Sequence, residues 1–306
     1  MIENLCVKIR KLCNHPWKRE VIFQDKIKWN KLWTSLDAIE DSQKAINDYS
    51  KLSEFDANKK GYLYIYGIMQ ALTIQQDALK NLSGALFEEK IDFKIDFPEL
   101  YKIKEFRNNS IGHPTNRGND KSFHFIGRSS IKKSGFTLLS YFPKTGEKNI
   151  VIDINILECI KIQNKLISEK LKETMNNLKT DFDNHRNKFK GNQLIDLIPP
   201  TNDYHFSKLY ENIERNYDLV ELNFNMVKDI YEELKKGIIE RYFSLTALSG
   251  VELITERLDY IFLRLKKDLI ENKINDKLEL EIFIDALISN FNEFKDMIKE
   301  IDEDFK

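Results

Sequence analysis

Apolar positions along this chain fall mostly at helical spacing. From Lys28 to Tyr49, Trp29, Leu32, Trp33, Leu36, Ile39 and Ile46 recur at intervals of three, four and seven, which predicts an amphipathic helix. A polar stretch, LSEFDANKKG, leads into Tyr62–Phe87, about 26 residues apolar on most sides and interrupted by Gln75, Gln76 and Asp77. That profile predicts a central, largely buried helix, on which Asp77 needs a partner or faces a heavy desolvation penalty. Pro98 opens a further helix, PELYKIKEFRNNSI, at the one turn where proline is tolerated, and Gly112-His113-Pro114 closes it.

The pattern then changes period. SFHFIGRSS, GFTLLSYF and NIVIDINI are rich in β-branched and aromatic residues and are separated by IKKSG and PKTGEK, which predicts a small antiparallel meander. Helical spacing resumes from Leu157 to Leu178. Polar residues from Lys179 to Gln193, with Pro199 and Pro200 beyond, mark a domain boundary. Four more stripes, near Tyr204–Tyr217, Leu219–Phe243, Leu245–Ile270 and Lys277–Ile301, predict a second helical region. The fold class expected is mainly α with a small antiparallel β insertion.

Composition narrows the class. In 306 residues, 11 Gly and 6 Pro exclude collagen-like and linker-like chains, and 42% hydrophobic residues exclude a disordered one. Three Cys without a CxxC cannot build a disulfide framework, so a reducing compartment is expected. No run approaches 18 apolar residues and MIENLCVKIRKLCNHPW lacks an apolar signal core; the expectation is a cytoplasmic protein with no membrane association. Net charge is −1. Its distribution is uneven: Tyr101–Gly135 holds eight Lys or Arg and two acids, whereas Glu271–Lys306 holds five Lys and eleven acids. The basic stretch suits a phosphate-binding surface.

FRNNSIGHP, Phe106–Pro114, carries the candidate chemistry. In a continuous helix Arg107 and His113 would stand about 120° apart. A left-handed Gly112 would turn the chain over the helix end and return His113 toward Arg107 and Asn108. A guanidinium, an amide and an imidazole suit metal-free RNA cleavage, in which Arg steadies charge on phosphorus and His moves protons. Walker, GxGxxG, HExxH and GxSxG motifs are all missing from the sequence. No metal or other cofactor is expected.

The spacing R-N-x4-H at a helix end, behind a long helix containing QALTIQQDAL, resembles the HEPN superfamily, the higher eukaryotes and prokaryotes nucleotide-binding domain, whose active members carry R-x4-6-H. The resemblance covers roughly Lys28–Leu178. It implies a helical bundle, a homodimer that brings two motifs into one cleft, and metal-independent endoribonuclease activity in toxin, CRISPR-associated or antiphage systems. An inhibitory or defence-system partner protein is implied with it. Arg107 matches the family's Arg, Asn108 the polar residue that often follows, and His113 the catalytic His. Position 115 is Thr where some toxins of the family carry a modified Tyr, so control of that kind is not expected.

Two other pairs share the spacing: Arg10 with His15, the runner-up because RKLCNHP follows a short amphipathic stretch and precedes a proline, and Arg117 with His124. The latter runs through a Gly/Asn loop into a strand, without a helix end to fix its side chains. Asp77 is expected to hold an active-site group, and Arg128, Lys132 and Lys133 to extend a phosphate track. Cys6, Cys13 and His15 give only three ligands at an unusual zinc spacing. His124, His185 and His205 read as surface or structural histidines. The resulting division is an N-terminal segment 1–27, a HEPN-like helical domain 28–182 with its β insertion at 122–155, and a C-terminal helical domain 194–306. The alternative function is a HEPN-like scaffold that binds a protein or RNA and performs no chemistry.

Overall fold

The computed structural model describes residues 1–53, 60–144, 146–211, 217–269 and 277–306. Two compact units form, one from Met1–Cys13 and Ile22–Leu178, the other from Asn14–Val21 and Lys179–Lys306. The fold is mainly helical with one small sheet, as the periodicity predicts.

In the first unit, α1 (Ile2–Cys13), α3 (Lys26–Lys51), α4 (Gly61–Phe87) and α6 (Pro98–Arg107) share one core, with the short α5 (Phe93–Asp96) between α4 and α6 in the chain, whereas α2 (Pro16–Phe23) counts with the second unit up to Val21. Helix α3 starts where the Asp25 carboxylate accepts from the amides of Ile27 and Lys28, which satisfies two of the four orphan donors of the first turn. Its stripe of Leu32, Leu36, Ile39 and Ile46 is fully buried, packed along α4. Residues 54–59 of the polar stretch between these helices lie outside the described residues.

The sequence's QQD interruption in α4 proves to be two different things. Gln75 and Gln76 are fully buried and join a chain of amides across three helices. Gln75 Nε2 donates to Gln43 Oε1 (2.9 Å), Gln76 Nε2 to Gln163 Oε1 (2.8 Å), and Gln163 Nε2 to Gln75 Oε1 (3.0 Å) and the Leu72 carbonyl (2.7 Å). Such a chain is tolerated inside a core because nearly every amide is paired. Asp77, one residue on, faces solvent.

Strands β1 (Phe123–Ile126), β2 (Gly135–Tyr141) and β3 (Ile150–Asn155) form an antiparallel meander in chain order. His124 lies opposite Ser140, and Leu138 opposite Ile152. Gly135 is required where β2 begins: a Cβ there would stand 1.8 Å from the Ile154 carbonyl oxygen.

Helix α7 (Ile156–Phe189) runs on through the polar residues after Leu178 that read as a boundary. Nothing between Lys179 and Phe189 breaks a helix; the first breaker is Gly191, at φ +84°. Residues to Leu178 count with the first unit and those from Lys179 with the second. The second unit is helical: α8 (Asn202–Glu211), α9 (Tyr217–Tyr242), α10 (Ser249–Leu269) and α11 (Lys277–Glu303). Near its C-terminus, Asp302 accepts from the Leu194 and Ile195 amides and caps the short turn Leu194–Leu197. The N-terminal segment is not separate: Ile2, Leu5, Cys6, Ile9 and Cys13 sit in the first core and Trp17 in the second.

Candidate functional site

Helix α6 passes without interruption into a π-turn, Asn108–Gly112. The His113 amide donates to the Asn108 carbonyl at 2.7 Å, an i to i+5 bond that admits one extra residue to the turn. Ser110 Oγ donates back to the Phe106 carbonyl at 2.7 Å. The left-handed Gly112 expected from the sequence does not occur, since its φ is not positive and the wide turn itself ends the helix. The glycine serves another purpose. A Cβ at Gly112 would lie 2.8 Å from Arg107 Nη1, so the guanidinium rests directly on the bare backbone one residue before His113.

Arg107 is half-buried and, among the described residues, held only by neutral groups. Gln70 Oε1 accepts from its Nε (3.2 Å) and Nη2 (2.8 Å), and Asn108 Oδ1 accepts from Nη1 (3.2 Å). The nearest carboxylate in this chain of contacts, Glu105, is committed elsewhere: both its oxygens accept from Arg117 Nη2, at 2.7 and 2.6 Å. The Asn108 amide reaches Glu105 at 3.4 Å and joins the two arginines into one polar network. Arg107 therefore keeps an unneutralised charge, while Arg117 forms a closed ion pair. His113 is exposed, and among the described residues its imidazole has no hydrogen bond, ion pair or ring contact.

The other expected residues are placed differently. Asp77 is exposed and pairs with Lys104 of α6 at 2.5 Å; the group that holds Arg107 is Gln70, seven residues earlier on the same face of α4. Arg128 is exposed on a short turn, Arg128–Ser130. Lys132 is exposed and lines a cavity of about 490 Å³ with Ser129, Ser134, Thr137 and Asp153. Lys133 is half-buried, and its carbonyl accepts from Tyr49 Oη at 2.7 Å. Arg107 and His113 do not line that cavity.

A second cavity, about 360 Å³, opens between α6 with its π-turn and the sheet. Glu105, Asn109, Arg117 and His124 line it, so the Arg117/His124 pair converges after all. The strand fixes His124 by its pairing rather than by any helix end, which is why spacing alone set it aside. His124 is buried with Ser122 Oγ 2.9 Å from Nε2 and Ser140 Oγ 2.8 Å from Nδ1. Burial, then the Arg117 charge, lower its proton affinity. The serine–histidine alternation at 122 and 124 was legible as one face of a strand; the part played by Gln70 left no signal in the sequence.

His185 is also buried, stacked on Trp17 at 4.1 Å with Nε2 donating to the Arg241 carbonyl, while His205 is half-buried against Asn223. Cys6 and Cys13 are buried thiols, and burial pushes Cys6 up to about 12. Among the described residues no three His, Cys, Asp or Glu side chains group as a metal site, and no helix is long and apolar enough to cross a membrane. No family model, curated protein or solved structure matches the chain.

Proposed function

We propose that this chain is a metal-independent endoribonuclease of the HEPN type, acting as a homodimer in a toxin–antitoxin or antiphage system. The observation that carries the reading is the Arg107 guanidinium lying on Gly112 with the imidazole of His113 on the next residue, the first without a carboxylate and the second without a partner among the described residues. Arg107 grips the scissile phosphate and Asn108 fixes the guanidinium. The ribose 2′-oxygen bonds to phosphorus and the 5′-oxygen departs, leaving a 2′,3′-cyclic phosphate and a 5′-hydroxyl. One His113 takes the 2′ proton and its counterpart in the second copy protonates the 5′-oxygen.

Support for the second copy comes from α4. Leu63, Tyr66, Gly67, Gln70 and Ile74 fall on one face of this helix, and Leu63, Tyr66 and Ile74 are exposed. The residue that holds Arg107 thus lies within an uncovered apolar stripe. A copy seated there brings two motifs to one groove.

Incubation with single-stranded and structured RNA in EDTA tests the assignment. Cyclic-phosphate ends and a loss of at least about 10²-fold in His113→Ala are expected. An active wild type with a fully active His113→Ala overturns it. The alternative, a HEPN-like scaffold that binds RNA or a partner protein, is favoured by the position of Arg107 and His113 outside both cavities. Wild-type protein that binds RNA but leaves it uncut decides for the scaffold.

A further inference from the structure

The 360 Å³ cavity beside the motif holds chemistry that phosphate cleavage does not use. Its volume is near the low end of pockets that enclose a small molecule, about 300–1,000 Å³, enough for one planar ring system and little more. Phe106, Leu138, Phe142 and Ile152 give it apolar walls. Its arginine is closed by Glu105 in a two-oxygen ion pair, and its other lining cation, Lys121, is an exposed side chain, so the buried part of the cavity offers an anion no net cation. In this it contrasts with Arg107. A phosphate belongs at Arg107, and a flat, uncharged, partly polar group belongs in the cavity.

The polar edge of the cavity has donors to spare. Asn109 Oδ1 accepts from Arg117, which fixes the amide; among the described residues nothing accepts from its Nδ2. His124 sits between two hydroxyls. A neutral imidazole donates from one nitrogen and accepts at the other, so the serine that receives the N–H keeps its own proton. Burial and the Arg117 charge favour that neutral form. Among the described residues, neither Ser122 nor Ser140 has a further side-chain partner, so one hydroxyl hydrogen remains available. Two donors beside aromatic walls fit a ring that presents carbonyl or ring-nitrogen acceptors.

We infer that this cavity binds a nucleobase of the RNA strand, with the adjoining phosphate at Arg107. The polar chain Arg107–Asn108–Glu105–Arg117 spans the two positions through contacts of 2.6 to 3.4 Å. The inference rests on the ribonuclease reading for its biological purpose, but base binding is measured without it.

The test titrates the four ribonucleosides, which carry no phosphate, into the full chain by calorimetry and saturation-transfer NMR. At least one nucleoside is expected to bind, about tenfold more weakly in Ile152→Trp and several-fold more weakly in Asn109→Ala. Ile152 is 38% exposed at the cavity wall, so the larger ring fits without disturbing the core. Ile150→Trp, at 42% exposure, is the second blocking variant. On randomised RNA, both blocking variants should still cut but lose base preference at one position beside the cleaved bond. Failure of all four nucleosides to bind at millimolar concentration overturns the inference, as does cleavage whose base preference neither blocking variant alters. Nucleoside binding that Ile152→Trp weakens, in a chain that cuts no RNA, upholds the cavity and removes the ribonuclease reading.

Discussion

Gln70 Oε1 accepts two hydrogen bonds from Arg107, one from Nε at 3.2 Å and one from Nη2 at 2.8 Å. A neutral acceptor orients a guanidinium without cancelling its charge, and this is what an anion site needs.

Replacing that acceptor separates orientation from charge. Gln70→Leu should lower RNA cleavage about tenfold and leave the melting temperature within a few degrees, since both side chains are only partly buried. Gln70→Glu should hold the guanidinium at least as firmly yet lower RNA affinity and cleavage further, because the new carboxylate neutralises Arg107. Activity in Gln70→Glu equal to wild type would refute an anion-binding role for Arg107. Filter binding and initial rates measure the pair.

Gly112→Ala tests the seat of the guanidinium. The added methyl would stand 2.8 Å from Nη1, and the far end of a flexible side chain can move aside. Backbone strain is small, because φ is not positive. Cleavage should fall about tenfold or more while stability changes by less than about 1 kcal/mol, checked by assay and by urea denaturation.

The buried amide chain should behave as a coupled unit. Gln163→Leu strips partners from Gln75, Gln76 and the Leu72 carbonyl, and each orphaned buried group costs about 1–3 kcal/mol. A destabilisation of at least about 3 kcal/mol is expected. The double change Gln75→Leu with Gln163→Leu should be less damaging than the sum of the single ones, since both ends of one hydrogen bond leave together. Additive losses in denaturant titrations would contradict this.

Acid should weaken the fold through its buried and half-buried histidines. Burial lowers the proton affinity of His15, His124 and His185 below the ordinary value of 6.5. Protonation is therefore easier in the unfolded chain. Their contribution is complete above about pH 6.5 and is lost as pH falls through the lowered folded values. The melting temperature should drop between pH 7 and 5, and His185→Gln should flatten part of that slope. A melting temperature constant over the interval would contradict the assignment.

Periodicity by itself determined most of the secondary structure. Apolar spacing placed α3 within two residues at each end, Pro98 marked the start of α6, and alternating runs gave a three-stranded meander in order. These are local preferences, fixed by side-chain direction and by the missing amide of proline. Helix α7 continues past Leu178 because a helix can present polar side chains to water for several turns and ends only where the backbone must turn, while the division into units still falls between Leu178 and Lys179, where the polar stretch begins.

Tertiary structure decided what local rules cannot carry. The sequence named Arg107, Asn108 and His113 as one cluster, but the helix closes by a π-turn rather than a left-handed glycine, and Gln70, 37 residues away, holds the Arg107 side chain. Asp77 and Gln70 occupy one helix face, and only the approach of α6 assigns Lys104 to the first and Arg107 to the second. His124 meets Arg117 because strand pairing folds the Gly/Asn loop back against α6. Spacing along a chain reports neighbours within one turn or one strand; which side chains meet across elements follows from the packing of whole faces.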